Sequence, residues 1–482
     1  MEQNRMPLLE AVRKYEGENP AYFRIPAHRF ERGVNPDFRQ AVGDKVFRCD
    51  LTEAEGLDDL HHPEGPIREA EELAAELYGS DRCWFLVNGT TCGNEAMLLS
   101  VVGPGEKIMV PRNAHKSVLM GLILSGAVPV WIMPEYDENW GVFGEVTAEA
   151  VEAGFRREPD CRAVFLVSPT YYGVCSDIRA IAEVCHAHGA VLLVDEAHGS
   201  HLYFSDRFPA GALRQGADMC AQSTHKTAGS MTQSSLLHIR GSRVDAARVD
   251  ENLKLVMSTS PSYLLMTSLD AARCELARRG REMMERSAEL AEWAGRKIAS
   301  LPGFRVLGCG EESRRGERDP ARLVFSAREL GIGGFQLQER LYRESGISLE
   351  LADYENVVAV VTWGNTWEDM ERLEAAAAKI SDMSKGVKDR PLMKKNFKLP
   401  KFPDMRCTPR EAYFSRKRTV SWKKAAGETA GEMAAPYPPG IPLIYPGEVL
   451  ETEIWEILEQ CREDGIVLHG PASPELDTYR II

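Results

Sequence analysis

The sequence predicts an α/β fold: a large domain on a mainly parallel sheet, a smaller α+β domain after it, and a C-terminal α+β domain. Three observations carry that expectation. Apolar runs of strand length alternate with amphipathic helical stretches through the first half of the chain. The alternation restarts on a shorter scale after a long charged, helix-prone segment, and a basic, proline-rich stretch then sets off a compact C-terminal piece. At 482 residues the chain also exceeds the roughly 250–300 residues at which single cores stop growing, so two or three domains are expected.

Taken in order, residues 1–49 read as an N-terminal arm. In GPIREAEELAAELYG, Pro66 suits the first helical position and Gly79 the stop, while Ile67, Ala70, Leu73, Ala74 and Leu77 recur at helical spacing. The run CWFLV, the turn NGTTCG and the helix-like NEAMLLSVV follow as strand, glycine turn and helix. KIMVP, VPVWIM, AVFLVS and AVLLVDEAH supply further strands, alternating with helical segments such as DIRAIAEVCHAHG. Together these define a large domain over residues 50–267. A helix-prone stretch from Ser268 to Leu301 leads into RVLGCG, ARLVFSA, FQLQERLYRES and NVVAVVTWG, the smaller domain over 268–384. SKGVKDRPLMKKNFKLPKFPDM lacks apolar periodicity and reads as a linker over 385–410, with a C-terminal domain over 411–482. No solenoid-type repeat is visible.

Composition narrows the function classes. Hydrophobic content of 44% and charged content of 27% are ordinary for soluble chains, and no apolar run approaches the roughly 20 residues of a membrane span. The opening MEQNRMPLLEAVRKYEGENP lacks the basic-then-apolar layout of a secretory signal, so a cytoplasmic location is expected. Eleven scattered cysteines without a C-x-x-C pair point to reduced, mostly buried thiols. A net charge of -14 without a long basic stripe argues against nucleic acid as a partner and leaves small molecules.

The chemistry gathers at two strand ends. The strand AVLLVD delivers Asp195 to the carboxyl edge of the sheet, where open α/β folds bind ligands. D-E-A-H also occurs as a helicase box, but that reading needs a phosphate loop ending in Gly-Lys, a dipeptide this chain lacks. After another helix-sized stretch, the run ADMCAQS ends at Thr224, His225 and Lys226, the position of the next crossover strand. A carboxylate and a lysine at neighbouring strand ends are what pyridoxal 5'-phosphate requires, the lysine for a Schiff base and the carboxylate for the ring nitrogen. A phosphate needs a cradle as well. Gly89, Thr90 and Thr91 open a helix whose free N–H groups and dipole attract a dianion, and Ser223 and His225 offer further donors. His115, after another strand end, offers a flat ring for stacking. His198 and His201, with His186 and His188, lack zinc-site spacing, so no metal is expected.

The segments DLTEAEGLDDLHHPEGPI, VNGTTCGNEAM, PRNAHKSV, SPTYYGV, VDEAHGSH, STHKTAGSMTQSSLLH, STSPSYLLMTSLD, TPREAYF and YPPGIPLIYPGE resemble the bacterial ornithine, lysine and arginine decarboxylases, and most closely their short form, typified by the biosynthetic arginine decarboxylase of Bacillus. The resemblance runs in order over nearly the whole chain. It implies fold type I of the pyridoxal phosphate enzymes, the aspartate aminotransferase-like fold, with Lys226 bonded to the cofactor, Asp195 at its ring nitrogen, His115 stacked on the ring and His198 close beside it. It places Gly89, Thr90, Thr91, Ser223 and His225 around the phosphate and Thr170 at the cofactor. It also implies that Ser258 completes the phosphate site of a neighbouring subunit, making the active unit a homodimer or an assembly of dimers. The family commonly shows P-G-H-K where this chain reads IPAHRF, with Ala27 and Arg29 in place of Gly and Lys. The wing domain of the long inducible relatives is missing.

The expected reaction is decarboxylation of a basic amino acid in polyamine biosynthesis, with arginine ranked ahead of lysine and ornithine. Glu64, Glu350 and Asp353 are candidates to receive the basic side chain, and either Lys226 or a nearby histidine returns the proton to the α-carbon. Two other classes stay open: an aminotransferase or eliminating lyase using the same Lys and Asp, and a non-catalytic module on the same fold.

Overall fold

The strands that bear on the site in this computed structural model are β1 (Arg82–Leu86), β2 (Lys107–Pro111), β3 (Val128–Ile132), β4 (Ala163–Val167), β5 (Val191–Asp195), β6 (Met219–Gln222) and β7 (Ser235–Ile239). The helices that bear on the site are α1 (Pro66–Tyr78), α2 (Gly89–Val101), α3 (Lys116–Ser125), α4 (Ile178–Ala187), α5 (Thr224–Thr227) and α6 (Tyr263–Ala299). The structure describes residues 1–309, 317–383, 397, 401–437 and 440–482. The chain packs as two units: one comprises residues 1–101, 191–204 and 210–281, the other 102–190, 205–209 and 282–482.

In the first unit the strands lie in the order β1–β7–β6–β5. β5 and β6 are parallel, with Asp195 opposite Ala221. β7 runs against both its neighbours, β6 and β1. Strand residues are buried almost throughout, as apolar runs covered on both faces must be. Helix α1 starts on Pro66 and stops at Gly79, whose φ of 75° ends it in the left-handed region. It buries Ile67, Ala70, Leu73 and Ala74 of the stripe read from the sequence, with Glu71, Ala75 and Tyr78 in addition, while Leu77 of that stripe is only half-buried. Helix α6 begins at Tyr263, ahead of the expected Ser268, and the Tyr263 hydroxyl accepts from the Asp58 N–H at 2.9 Å.

The second unit holds β4–β2–β3, parallel throughout. It also holds a four-stranded antiparallel sheet of β8 (Arg305–Val306), β9 (Arg322–Ser326), β10 (Leu351–Ala352) and β11 (Val357–Val360), in the order β8–β9–β11–β10. Phe304, Phe325, Leu337, Leu341 and Val357 fill its core against Leu290, Ala294 and Ile298 of α6. A separate core of Trp422, Ile444, Leu450, Ile454, Leu458 and Tyr479 organises the C-terminal residues.

Most of the expected linker, residues 385–396 and 398–400, lies outside the described residues. Its far end is built into C-terminal structure: Met405 bridges to Glu448, and a helix from Pro409 to Phe414 begins before residue 411. The signal was in TPRE, where Thr408 and Glu411 form a capping box with Pro409 at the first helical position. All eleven cysteines are free and eight are buried. No helix among the described residues is long and apolar enough to cross a membrane.

Candidate active site

Strand β5 is apolar until its last residue, so Asp195 arrives at the carboxyl edge of a buried strand, itself only 4% exposed. Its carboxylate is answered from two directions. Asn94 donates from Nδ2 to Oδ2 at 2.7 Å, and the Ala197 N–H donates to Oδ1 at 3.0 Å. Asn94 belongs to the second turn of α2, and it reaches Asp195 because that helix lies very close to the sheet. A Cβ on Gly93 would stand 2.8 Å from Leu86 Cδ1 and 3.1 Å from Ala221 Cβ, so only glycine permits the approach without rearrangement.

Lys226 follows from β6, five residues past Ala221, the residue paired with Asp195. The chain turns once as α5, and Lys226 Nζ comes within 3.1 Å of His198 Nε2. His198 lies three residues past Asp195 and is buried. Two adjacent parallel strands thus present a carboxylate, an imidazole and a primary amine at the same edge.

The cradle stands at the start of α2. Gly89 adopts φ +72°, a left-handed conformation that favours glycine, and its N–H donates to the Gln233 carbonyl at 2.9 Å. The Thr90 hydroxyl hydrogen-bonds to Ser223 and donates to Ser235 Oγ at 3.2 Å, which ties the helix start to β6 and β7. Thr91 is half-buried, and the Thr224 hydroxyl is buried with no hydrogen-bond partner. Helix N–H groups left without intrahelical acceptors, a positive dipole end and several hydroxyls give this helix start the donors that a bound anion needs.

His225 behaves differently from the sequence expectation of a simple phosphate donor. Its Nδ1 is 2.8 Å from the Ser234 carbonyl, so the proton sits there and Nε2 of the neutral ring is an acceptor. Burial lowers its pKa, and the neighbouring Lys226 lowers it further. Ser258 is exposed; its N–H donates to Asn88 Oδ1 at 3.2 Å and its carbonyl meets His61 Nε2 at 2.9 Å, next to Gly89 of the same chain.

Two expected residues belong to the other unit. His115 caps α3, its Nδ1 accepting from the Ser117 N–H at 3.2 Å. Thr170 is buried, and its hydroxyl accepts from the Val174 N–H at 3.2 Å in the turn of SPTYYGV. Among the acidic candidates, Asp353 is committed to the fold: it accepts from Tyr172 Oη at 2.7 Å, from the N–H groups of Glu355 and Asn356, and from Asn356 Nδ2. Glu64 pairs with His62 at the surface, and Glu350 is exposed. His188 is bonded to Glu152 and stacked on Phe155.

Sequence reasoning gave no role to Asn94, which directly follows the quoted glycine turn NGTTCG. It also missed Glu196, Gln222, Ser200 and Thr227, which lace the two strand ends together. Their spacing has no motif, because each partner sits on a different element.

Comparison with known proteins bears on the family and the fold. The family model described as Orn/Lys/Arg decarboxylase, major domain, matches residues 6–313, and the model of the C-terminal domain of the same family matches residues 390–465. The chain is 38% identical to an arginine decarboxylase of Halalkalibacterium halodurans, covering 100% of this chain and 98% of that protein. It is 36% identical to an arginine decarboxylase of Bacillus subtilis, covering 100% and 99%. A lysine decarboxylase of Francisella novicida superposes with a TM-score of 0.84 at 21% identity, over 99% of this chain and 81% of that one. An alanine–glyoxylate aminotransferase of Nostoc does so with a TM-score of 0.53 at 16% identity, over 65% and 86%. These structures establish the fold as type I. Full-length relatives above 30% identity and a major-domain match over most of the chain lead to one conclusion: the chain belongs to the Orn/Lys/Arg decarboxylase family.

Proposed function

We propose that this decarboxylase converts L-arginine to agmatine and carbon dioxide with pyridoxal 5'-phosphate as its cofactor, in preference to lysine and then ornithine. The carrying observation is the juxtaposition at the ends of β5 and β6, where the buried Asp195 carboxylate and the Lys226–His198 pair leave neighbouring parallel strands. The preference for arginine rests on the full-length relatives that bear that activity in their names.

The residues present fit that cofactor. Lys226 would hold its aldehyde carbon, Asp195 its ring nitrogen, and the N–H groups of Thr90 and Thr91, past the turn at Gly89, its phosphate, with the Ser223 hydroxyl and the orphaned Thr224 hydroxyl close at hand in sequence. His198, beside Lys226, would line the ring. His225 would give the phosphate a donor only as the protonated ring, since Ser234 already occupies its Nδ1. When bound, the cofactor supplies an electron sink for the pair left on the α-carbon as carbon dioxide departs.

The chain's own groups do the rest. Asp195, held in register by Asn94 and the Ala197 N–H, would keep a proton at the ring nitrogen. Lys226, 3.1 Å from His198, can pass a proton to it or receive one, and either member of the pair would return the proton to the α-carbon. Ser258, on the exposed edge beside Asn88, is the residue that would reach a second copy's phosphate in a homodimer. We place the enzyme in the cytoplasm, in polyamine biosynthesis.

The test is direct. Protein loaded with pyridoxal phosphate is incubated with arginine, lysine and ornithine, and products are identified by mass. Agmatine in molar balance with carbon dioxide is expected; a keto acid would transfer the site to the aminotransferases that share the fold, and cadaverine or putrescine as the main product would overturn the substrate ranking.

A further inference from the structure

Three side-chain and backbone links join the segment after β5 to the segment after β6. Glu196 accepts from Gln222 Nε2 at 2.7 Å, Ser200 Oγ lies 2.8 Å from Thr227 Oγ1, and the Glu196 N–H donates to the Ala221 carbonyl at 2.9 Å. Glu196 directly follows Asp195, and Gln222 directly precedes Ser223, four residues ahead of Lys226. The Glu196 carboxylate is surrounded by donors. Its Oε1 accepts from the Ala212 N–H at 2.6 Å, and its Oε2 accepts both Gln222 Nε2 and Tyr203 Oη, each at 2.7 Å. The Tyr203 hydroxyl itself accepts from the Leu213 N–H at 3.2 Å, which fixes its proton toward Glu196. Both Glu196 and Gln222 are 0–1% exposed. A fully buried carboxylate is expensive to keep even when donors surround it, and a stable core does not need one.

We propose that Glu196 is a positioning residue: its ionised carboxylate clasps Gln222 and so sets the placement of the Ser223–Lys226 segment relative to Asp195. The inference rests on the reading that Lys226 and Asp195 act on one cofactor. Glu196 does not touch the reacting groups; it acts through Gln222. Burial pushes its carboxyl up to about 7 against the pull of the Ala212 N–H, Gln222, Tyr203 and Cys220. The ionisable groups facing it, Tyr203, Cys220 and Tyr78, are all shifted upward by burial and stay protonated. The clasp is therefore tight on the alkaline side of neutrality and loosens as pH falls through about 7.

The experiment uses Glu196→Gln and Gln222→Leu in the full-length protein. In the cofactor-free chain, amide hydrogen exchange over residues 221–227 at pH 8 is expected to accelerate by about tenfold or more in both variants. Lowering the pH to 6, after correction for intrinsic rates, should loosen the wild type but not Glu196→Gln. In the loaded enzyme, kcat should fall about 10- to 100-fold with KM within about twofold, the pattern of misplaced groups. Unchanged exchange and unchanged kcat in a folded variant would overturn the proposal. Should Glu196→Gln not fold, Gln222→Leu, which leaves no charge change, decides the matter. If the wild type makes no amine at all, the decarboxylase reading fails, while the exchange measurement still judges the clasp.

Discussion

Arg112 and Glu448 are both 0% exposed, and they meet at 2.6 Å across 336 residues of sequence. The guanidinium also donates to the Leu443 carbonyl at 2.9 Å and lies against two neighbouring rings, 4.7 Å from the centroid of Trp131 and 4.8 Å from that of Tyr445, whose own centroids are 4.6 Å apart. The Tyr445 N–H caps the other carboxylate oxygen at 2.8 Å. Glu448→Gln keeps the shape and one acceptor but removes the charge, leaving a buried cation with a carbonyl and two ring faces. Breaking a buried pair in this way costs about 3–5 kcal/mol, on the order of a 100-fold or greater shift in the folding equilibrium. Urea unfolding followed by tryptophan fluorescence is the assay, since Trp131 stacks on the group being perturbed. The double variant Arg112→Met with Glu448→Met replaces the pair by apolar volume and should lie within about 1 kcal/mol of wild type. A cost below about 1 kcal/mol for Glu448→Gln would show that water reaches the pair and would refute the reasoning.

Other outcomes follow from the same contacts. Burial pushes the Glu71 carboxyl up to about 8, so between about pH 4.5 and 8 the folded chain keeps a proton that the unfolded chain releases, and stability falls as pH rises across that window. Glu71→Gln, which can still accept from the Phe85 N–H, should match wild type near pH 4.5 and exceed it at pH 8 by roughly 3–5 kcal/mol; thermal melts at the two pH values check this. Gly93→Val forces a side chain against Leu86 and Ala221, so a loss of about 1–3 kcal/mol is expected by denaturant titration, along with weaker cofactor retention as Asn94 is displaced. Asp195→Asn keeps the size and the contact with Ala197 but removes the charge, and decarboxylation should slow by about 100-fold or more in steady-state assays.

Much of the site was legible because its groups sit at the ends of sequence patterns. Asp195 closes an apolar run, Gly89 to Thr91 open a helix, and Lys226 follows the next run after one crossover. Periodicity marks where strands and helices end, and α/β folds put chemistry at those ends. The rest depended on register and close approach. Asn94 reaches Asp195 only because Gly93 lets α2 lie on the sheet, and Glu196 meets Gln222 only because β5 and β6 pair Asp195 with Ala221. Asp353 looked like a selector for a basic side chain by its place in a motif-like segment, but four donors hold it in the fold. Pairings such as Arg112 with Glu448 leave no trace at any local spacing.

The central claim is that Lys226 and Asp195 serve one cofactor at the shared edge of β5 and β6. Borohydride reduction of protein loaded with pyridoxal phosphate, followed by peptide mass spectrometry, tests it most directly. A single reduced pyridoxyl adduct on the peptide carrying Lys226, with loading much weakened in Asp195→Ala, is the predicted result. An adduct on another lysine, or loading indifferent to residue 195, would contradict the account.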